Sequence, residues 1–301
     1  MRVRLLLGAF ACASVGLIAQ ACSGFRSEET LVDAGAPEAD SGSERDLDSG
    51  VRFGAPTEVL SSNIPSGITA RYTPKTQRLF YSVAPFFTST IFAVVEDGGR
   101  VPITGPDGGF VGDAPSFTSV DFMYYVGPAE DGGANTLKFR VEADGGNRWS
   151  AAADIPSASA PGKPYVLPNG SAIYYASPTG IVRATLNVLI LTSEKPVTFK
   201  LRDPSAAFSG VNHPVVTPDE TTIYFGVSDK SDAGVTHVWT ARRGTDNPAD
   251  GTFVDAHPLE IEGSSGSEIP SWVSDDGNEL LFSRAPGLNG AVVSVLSVKR
   301  L

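Results

Sequence analysis

Pro214–Phe225 reads PVVTPDETTIYF, and Pro164–Tyr175 reads PYVLPNGSAIYY. The two align without a gap: a proline, a short apolar run, a Pro-Asp or Pro-Asn turn, then a β-branched residue and an aromatic pair. Looser copies are Ala70–Tyr81 (ARYTPKTQRLFY), Pro115–Tyr125 (PSFTSVDFMYY, one residue shorter) and Pro270–Phe282 (PSWVSDDGNELLF, one residue longer). The aromatics that close the copies, Tyr81, Tyr125, Tyr175, Phe225 and Phe282, lie 44, 50, 50 and 57 residues apart. A self-similar unit of about 40–50 residues built from short strands predicts propeller blades, each of which buries its faces only against its neighbours.

Each copy reads as an inner strand, a turn and a second strand. In Pro214–Phe225, Val215–Thr217 is the inner strand, Pro218-Asp219-Glu220 the turn, and Thr222–Val227 the next strand. Proline at a strand start or in a turn sits where a missing N–H does least harm. An aromatic pair such as Tyr174/Tyr175 puts one ring on each face of its strand, which suits a blade covered on both sides. Third strands are expected at Ile91–Glu96, Thr136–Glu142, Gly180–Leu186, Thr236–Arg242 and Ala291–Val298. Fourth strands are expected at Val101–Thr104, around Trp149, at Val197–Leu201 and at Phe253–Leu259. The Asp-Gly-Gly sites at Asp97, Asp131 and Asp144 read as hairpin turns, with glycine available for positive φ.

The fifth copy runs out of chain after its third strand, whereas Phe53–Leu60 precedes the first copy as an orphan strand. Pairing Pro56–Leu60 with Ala291–Val298 closes the ring and covers both edges. The expected fold is therefore all-β: a single propeller over residues 53–301, five blades of four strands. A sixth, degenerate blade within Leu186–Gly210 is the alternative.

With 41% apolar residues the chain can bury a sizeable core. Its net charge of −11, or −13 once Arg2 and Arg4 are removed, repels phosphate backbones, so no nucleic-acid partner is expected. Only two cysteines occur, Cys12 and Cys22, which rules out a disulfide or thiolate metal site in the ring. Arg2 and Arg4 followed by apolar Leu5–Ala19 have the layout of a secretory signal peptide, residues 1–21. Residues 22–52 carry eight acids between Glu28 and Asp48 and few large apolar groups, the composition of a disordered, self-repelling tether.

Two resemblances add to this reading. Ala19-Gln20-Ala21-Cys22 resembles the lipobox of bacterial lipoproteins, which implies acylation of Cys22 and a membrane attachment through that lipid. Ser23 after the cysteine implies, by the same resemblance, sorting to the outer membrane. PxxxPDxxxIYF resembles the WD40-like β-propeller repeat of TolB and many bacterial envelope proteins, with Pro270, Trp272, Asp276-Gly277 and Phe282 matching best. Blade one departs from it at Lys75, where the repeat has Asp, and blade two lacks the Pro-Asp turn. The motif specifies fold rather than activity, and no separate hydrolase domain fits beside the ring.

Chemistry is sparsely signalled. There is no G-x-S-x-G elbow, Gly-rich phosphate loop or basic patch. His213, His237 and His257 fall on different predicted strands, and no metal or cofactor is expected. Asp246–Gly251 lacks the ligand pattern of a calcium loop. Asp219, Asp275 and Asp276 sit in turns, where the side chain satisfies its own backbone. Asp113, Lys163, His213 and Glu268 lie at equivalent starts of inner strands within a residue or so, and are the candidate ligand contacts at the channel mouth. The expectation is a non-enzymatic binding or scaffold module of the cell envelope, engaging a protein or cell-wall component. The alternative is a glycan-processing propeller in which Asp113 and Glu268 face each other across the channel.

Overall fold

Strand breaks come where the prolines and turn residues put them, and among the described residues the strands assemble into five radially arranged blades and two two-stranded sheets. The computed structural model describes residues 51–301 other than 62–67, 84–89, 96–97, 107, 110, 130–133, 144–147, 158–160, 207–209, 229–234, 246, 265 and 286–292. The signal peptide, Cys22 and the tether up to residue 50 lie outside the described residues. So do Asp97, the Asp131 and Asp144 glycine turns, and Asp246.

Blade one is Ile68–Tyr72, Leu79–Val83, Thr90–Val94 and Arg100–Pro102. Blade two is Asp113–Phe117, Phe122–Gly127, Thr136–Val141 and Ala153–Ile155. Blade three is Gly162–Val166, Ala172–Ser177, Gly180–Asn187 and Ile190–Pro196. Blade four is Val211–Val216, Thr222–Ser228, Thr236–Arg243 and Thr252–Pro258, and blade five contributes Ser267–Val273, Glu279–Ala285 and Ser294–Lys299. The fourth strand of blade five is Thr57–Ser61, antiparallel to Ser294–Lys299. Each inner strand packs on that of the next blade, and Ser267–Val273 returns to Ile68–Tyr72, so the ring closes.

Closure is reinforced beside that ladder. Gly54 N–H donates to Lys299 O at 2.9 Å and Leu301 N–H to Arg52 O at 3.0 Å. Arg52, which composition assigns to the tether, pairs with Glu260 on a parallel two-residue strand. Phe53 is buried beside it, edge-on to Tyr224 at 6.1 Å.

Two expected outer strands are corrected. Thr198–Leu201 does not complete blade three. It adds a fifth strand to blade four, parallel to Thr252–Pro258, because Ile190–Pro196 has already turned back to pair with Gly180–Asn187. This pairing also consumes the stretch in which a sixth blade was the alternative. In blade two, Trp149 makes only a bridge to Glu142, and Ala153–Ile155 is the outer strand.

The aromatic pairs divide between blades as their alternation requires. Tyr125 packs with blade one and Tyr124 with blade three. Tyr175 faces blade two while Tyr174 faces blade four. Phe80 and Tyr81 likewise belong to separate cores on the two sides of blade one.

The turn inside each copy is built the same way. Gln77, Asp121, Gly170, Glu220 and Gly277 all take positive φ, between 52° and 71°. In four of the five, a hydroxyl (Thr73, Thr118, Thr217 or Ser274) accepts the N–H that opens the second strand, at 2.9–3.3 Å. Blade three has Leu167 there, and Asn169 Oδ1 accepts Ser171 N–H instead, at 2.9 Å. Asp219 and Asp276 satisfy their own turns, each accepting the N–H two residues on at 3.0 Å.

Candidate functional site

The channel mouth is shaped by an irregularity that recurs in blades two, three and four. Ala114, Lys163 and His213 each immediately precede a proline and each take positive φ, at 52°, 47° and 50°. A residue before proline disfavours even right-handed helical φ/ψ, and αL for a non-glycine residue costs on the order of 1–3 kcal/mol. The ladder slips at the same places, between Tyr124 and Val126, Gly162 and Tyr165, and Asn212 and Val215. Such bulges re-aim side chains at a sheet edge. Blade one has no proline at this position, and its inner ladder runs in unbroken register.

These bulges bring blades two and three together through Asp113 and Lys163, whose carboxylate and ammonium form an ion pair. Ser82 Oγ, from blade one, donates to Asp113 Oδ1 at 2.7 Å and accepts Ala114 N–H at 3.1 Å. Burial alone raises the Asp113 carboxyl. The Lys163 charge and the hydrogen bonds from Lys163, Ser82 and Ala114 outweigh it and hold the group below the usual carboxylate range. Asp113 is therefore ionised at neutral pH.

His213 stands on the next blade. Enclosure by the walls, together with the Lys163 charge, pushes its ring down to about 3, the Asp113 charge opposing, so it is a neutral imidazole at neutral pH. Its Nδ1 lies 3.0 Å from Asn212 Oδ1. A Cβ on Gly226 would fall 2.5 Å from that same Oδ1, so glycine is what leaves Asn212 room beside the histidine.

Below the mouth the channel is filled. Arg71, on the inner strand of blade one, is 2% exposed, and its guanidinium donates to backbone carbonyls of three other blades. Nε reaches Ser271 O at 2.7 Å, and Nη1 reaches Pro115 O at 3.2 Å and also Pro164 O. The cation lies over the Tyr165 ring, 5.0 Å from its centroid. Burial brings the guanidinium down to about 10, so it remains charged at neutral pH. Arg71 and Tyr165 thus lie beneath the mouth formed by Asp113, Lys163 and His213, and these side chains together are called the cup.

Glu268 is not available to this cup. Its carboxylate is buried and held by Arg284, whose Nε and Nη2 donate to Oε1 at 2.9 and 2.6 Å, while Ser264 Oγ donates to Oε2 at 2.8 Å. The pairing of Asp113 with Glu268 across the channel is corrected accordingly: each acid has its own cation. His237 and His257 sit on the third and fourth strands of blade four, with His257 Nδ1 2.6 Å from Asp255 O. Among the described residues, no three His, Cys, Asp or Glu are grouped to hold a metal ion.

Arg71 and Ser82 escape the sequence reading. Arg71 aligns with Ser116, Tyr165, Val215 and Ser271 of the other copies, and a lone cation at an otherwise uncharged inner position was the available signal.

The geometry can be set beside known proteins. TolB from Acinetobacter baumannii superposes with a TM-score of 0.50 at 17% identity, over 78% of this chain and 54% of that one. The chain spans about half the length of that TolB. An α-L-arabinofuranosidase from Podospora anserina, in complex with cellotriose, gives a TM-score of 0.55 at 11% identity over 85% of this chain and 99% of that one. A GH43_1 enzyme from Xanthomonas citri complexed with xylotriose gives 0.51 at 12% identity, over 80% and 88%. The likeness is one of fold. No protein-family model matches the sequence, and no curated protein matches it either. The expectation of a non-enzymatic module is corrected by these neighbours: glycoside hydrolases recur among the propellers that share this fold.

Proposed function

We propose that this chain is a glycan-processing propeller enzyme working at one mouth of its ring, with Asp113 as its ionised carboxylate. The observation that carries the reading is the cup itself. Asp113, Lys163 and His213, from three consecutive inner strands, converge above the guanidinium of Arg71. A carboxylate kept ionised in a partly desolvated cup is suited to activating a water or attacking a sugar carbon. Neighbouring propellers of the same fold named as glycoside hydrolases support the substrate class. The test is release of reducing ends from a panel of plant and bacterial cell-wall oligosaccharides. Asp113→Asn is expected to lower the rate roughly 10²–10⁴-fold, and full activity in that variant removes Asp113 from the mechanism.

One observation favours a second reading, recognition of an envelope glycan or protein. Two-carboxylate hydrolysis needs a partner acid, and among the described residues gathered at the cup Asp113 is the one carboxylate, Glu268 being held by Arg284. Tight binding of a glycan or envelope protein by the wild type, with no reducing ends released, selects it.

In either case we place the ring outside the cytoplasm, tethered by residues 22–50 to a lipid on Cys22 in the outer membrane. Labelling with radioactive fatty acid is expected to mark the wild type and spare Cys22→Ala. Equal incorporation in both excludes the anchor.

A further inference from the structure

We infer that the cup takes a glycan bearing a carboxylate, a uronic-acid sugar, whose anion is held by Arg71 Nη2 and Lys163. This deepens the glycan reading above and rests on it. The first support is the bonding of Arg71. The enclosed Arg183 and Arg243 both bond the Glu220 carboxylate, at 2.8 and 3.2 Å. Arg71 meets carbonyl oxygens alone through Nε and Nη1, and among the described residues it belongs to no ion pair. Its Nη2 has no protein partner, yet it is not sealed from solvent, since the one sealed and unbonded side-chain atom among the described residues is Trp149 Nε1. A guanidinium braced on two nitrogens with the third left open is a preorganised donor for an oxyanion.

The second support is charge. Arg71 and Lys163 are cationic, Asp113 anionic and His213 neutral, so these four groups carry one surplus positive charge within a chain whose net charge is −11. An incoming monoanion balances that surplus. A neutral sugar leaves it in place, and a phosphate dianion overshoots it beside the Asp113 carboxylate. The same cup offers Asp113 and Asn212 to sugar hydroxyls, which fits a polyhydroxylated ring better than a bare anion.

Calorimetric titration of the full chain with galacturonate and glucuronate oligosaccharides, their carboxyl-reduced neutral counterparts, and acetate tests the inference. The uronates are expected to bind at least ~10-fold more tightly than the neutral sugars, a preference worth about 1.4 kcal/mol, and the preference should shrink as salt rises. Lys163→Met should abolish that preference while retaining the wild-type circular dichroism. Arg71→Lys, which keeps the charge but loses bracing, reports separately through its thermal midpoint. If neutral and acidic sugars bind equally, the carboxylate inference falls and the glycan reading stands. If acetate binds as tightly as the uronates, the sugar has no part in recognition and the inference falls. If no sugar of either kind binds, the glycan reading itself falls and takes this inference with it.

Discussion

Replacing Glu220 with alanine is expected to cost about 3–5 kcal/mol of stability and to lower the thermal midpoint by roughly 6–20 °C. Glu220 sits in the turn of blade four at a φ of 57°, which carries its side chain across to blade three. There Arg183 donates to both of its oxygens, at 2.8 and 3.0 Å, and Tyr174 Oη donates to Oε2 at 2.5 Å. Arg243, on its own blade, donates from Nη2 to Oε2 at 3.2 Å and from Nε to the Glu220 carbonyl at 2.6 Å. The carboxylate is buried, and deleting it leaves two enclosed guanidinium groups facing each other without an anion. Mutual repulsion and lost hydrogen bonds act together, so the effect exceeds that of a surface pair, which is worth about 0–1 kcal/mol.

The pH dependence follows from the same contacts. Burial raises the Glu220 carboxyl, but the hydrogen bonds from Arg183 and Tyr174 and the two guanidinium charges bring it below its ordinary value of 4.5. A carboxyl lowered on folding contributes stability above that ordinary value and loses the contribution as pH falls through the folded one. The gap between wild type and Glu220→Ala should therefore be fully developed at neutral pH and narrow in acid below 4.5. Thermal unfolding followed by circular dichroism across that range measures it. A shift below about 2 °C at neutral pH would contradict the account.

Removing residues up to 61 should have the other large effect, because it takes out the strand that completes blade five. Thr57–Ser61 pairs with Ser294–Lys299, and without it the ladder from Ser294 to Ser297 is left as an open edge beside Glu279–Ala285. Exposed edges recruit other chains, so the truncated ring is expected to associate and to lose its cooperative transition. Leu60, in the core shared with Leu281 and Val295, and Phe53, packed among Tyr224, Leu259 and Ile261, leave with it. The milder Phe53→Ala isolates packing from closure and should cost about 3–5 kcal/mol. Ile190→Ala, at a side chain 59% exposed, should stay within about 0.5 kcal/mol. Light scattering after size exclusion, together with thermal unfolding, separates association from loss of stability. A monomeric truncated chain with an unchanged midpoint would mean that closure does not hold the ring.

Much of this architecture is local in origin. The turn-then-aromatic repeat sets strand, turn and strand within about a dozen residues, and a run such as Ile223-Tyr224-Phe225 can cover two faces only between neighbours. Counting strands then predicts closure, since an orphan strand at one end and a missing one at the other have one economical pairing. The outer strands were harder to read. Thr198–Leu201 carries the alternation of a strand wherever it docks, and whether it joins blade three or blade four depends on Ile190–Pro196 turning back first.

Asp113, Lys163 and His213 could be nominated from the sequence because each lies at the start of an inner strand one or two residues before a proline, a position set by the repeat. Their arrangement could not, since it depends on which bulge forms, on Ser82 arriving from blade one, and on the cation that each acid finds. Glu268 shows the difference: its position in the repeat resembles that of Asp113, yet Arg284 on the adjacent strand claims it. The sequence alone determined the repeat, the number of blades and the strand that seals the ring, because hydrophobic periodicity and turn chemistry act between near neighbours. Only the tertiary structure decided that Arg71 lies beneath the mouth, since a guanidinium bonded to residues 115, 164 and 271 draws on distant segments that folding alone brings together.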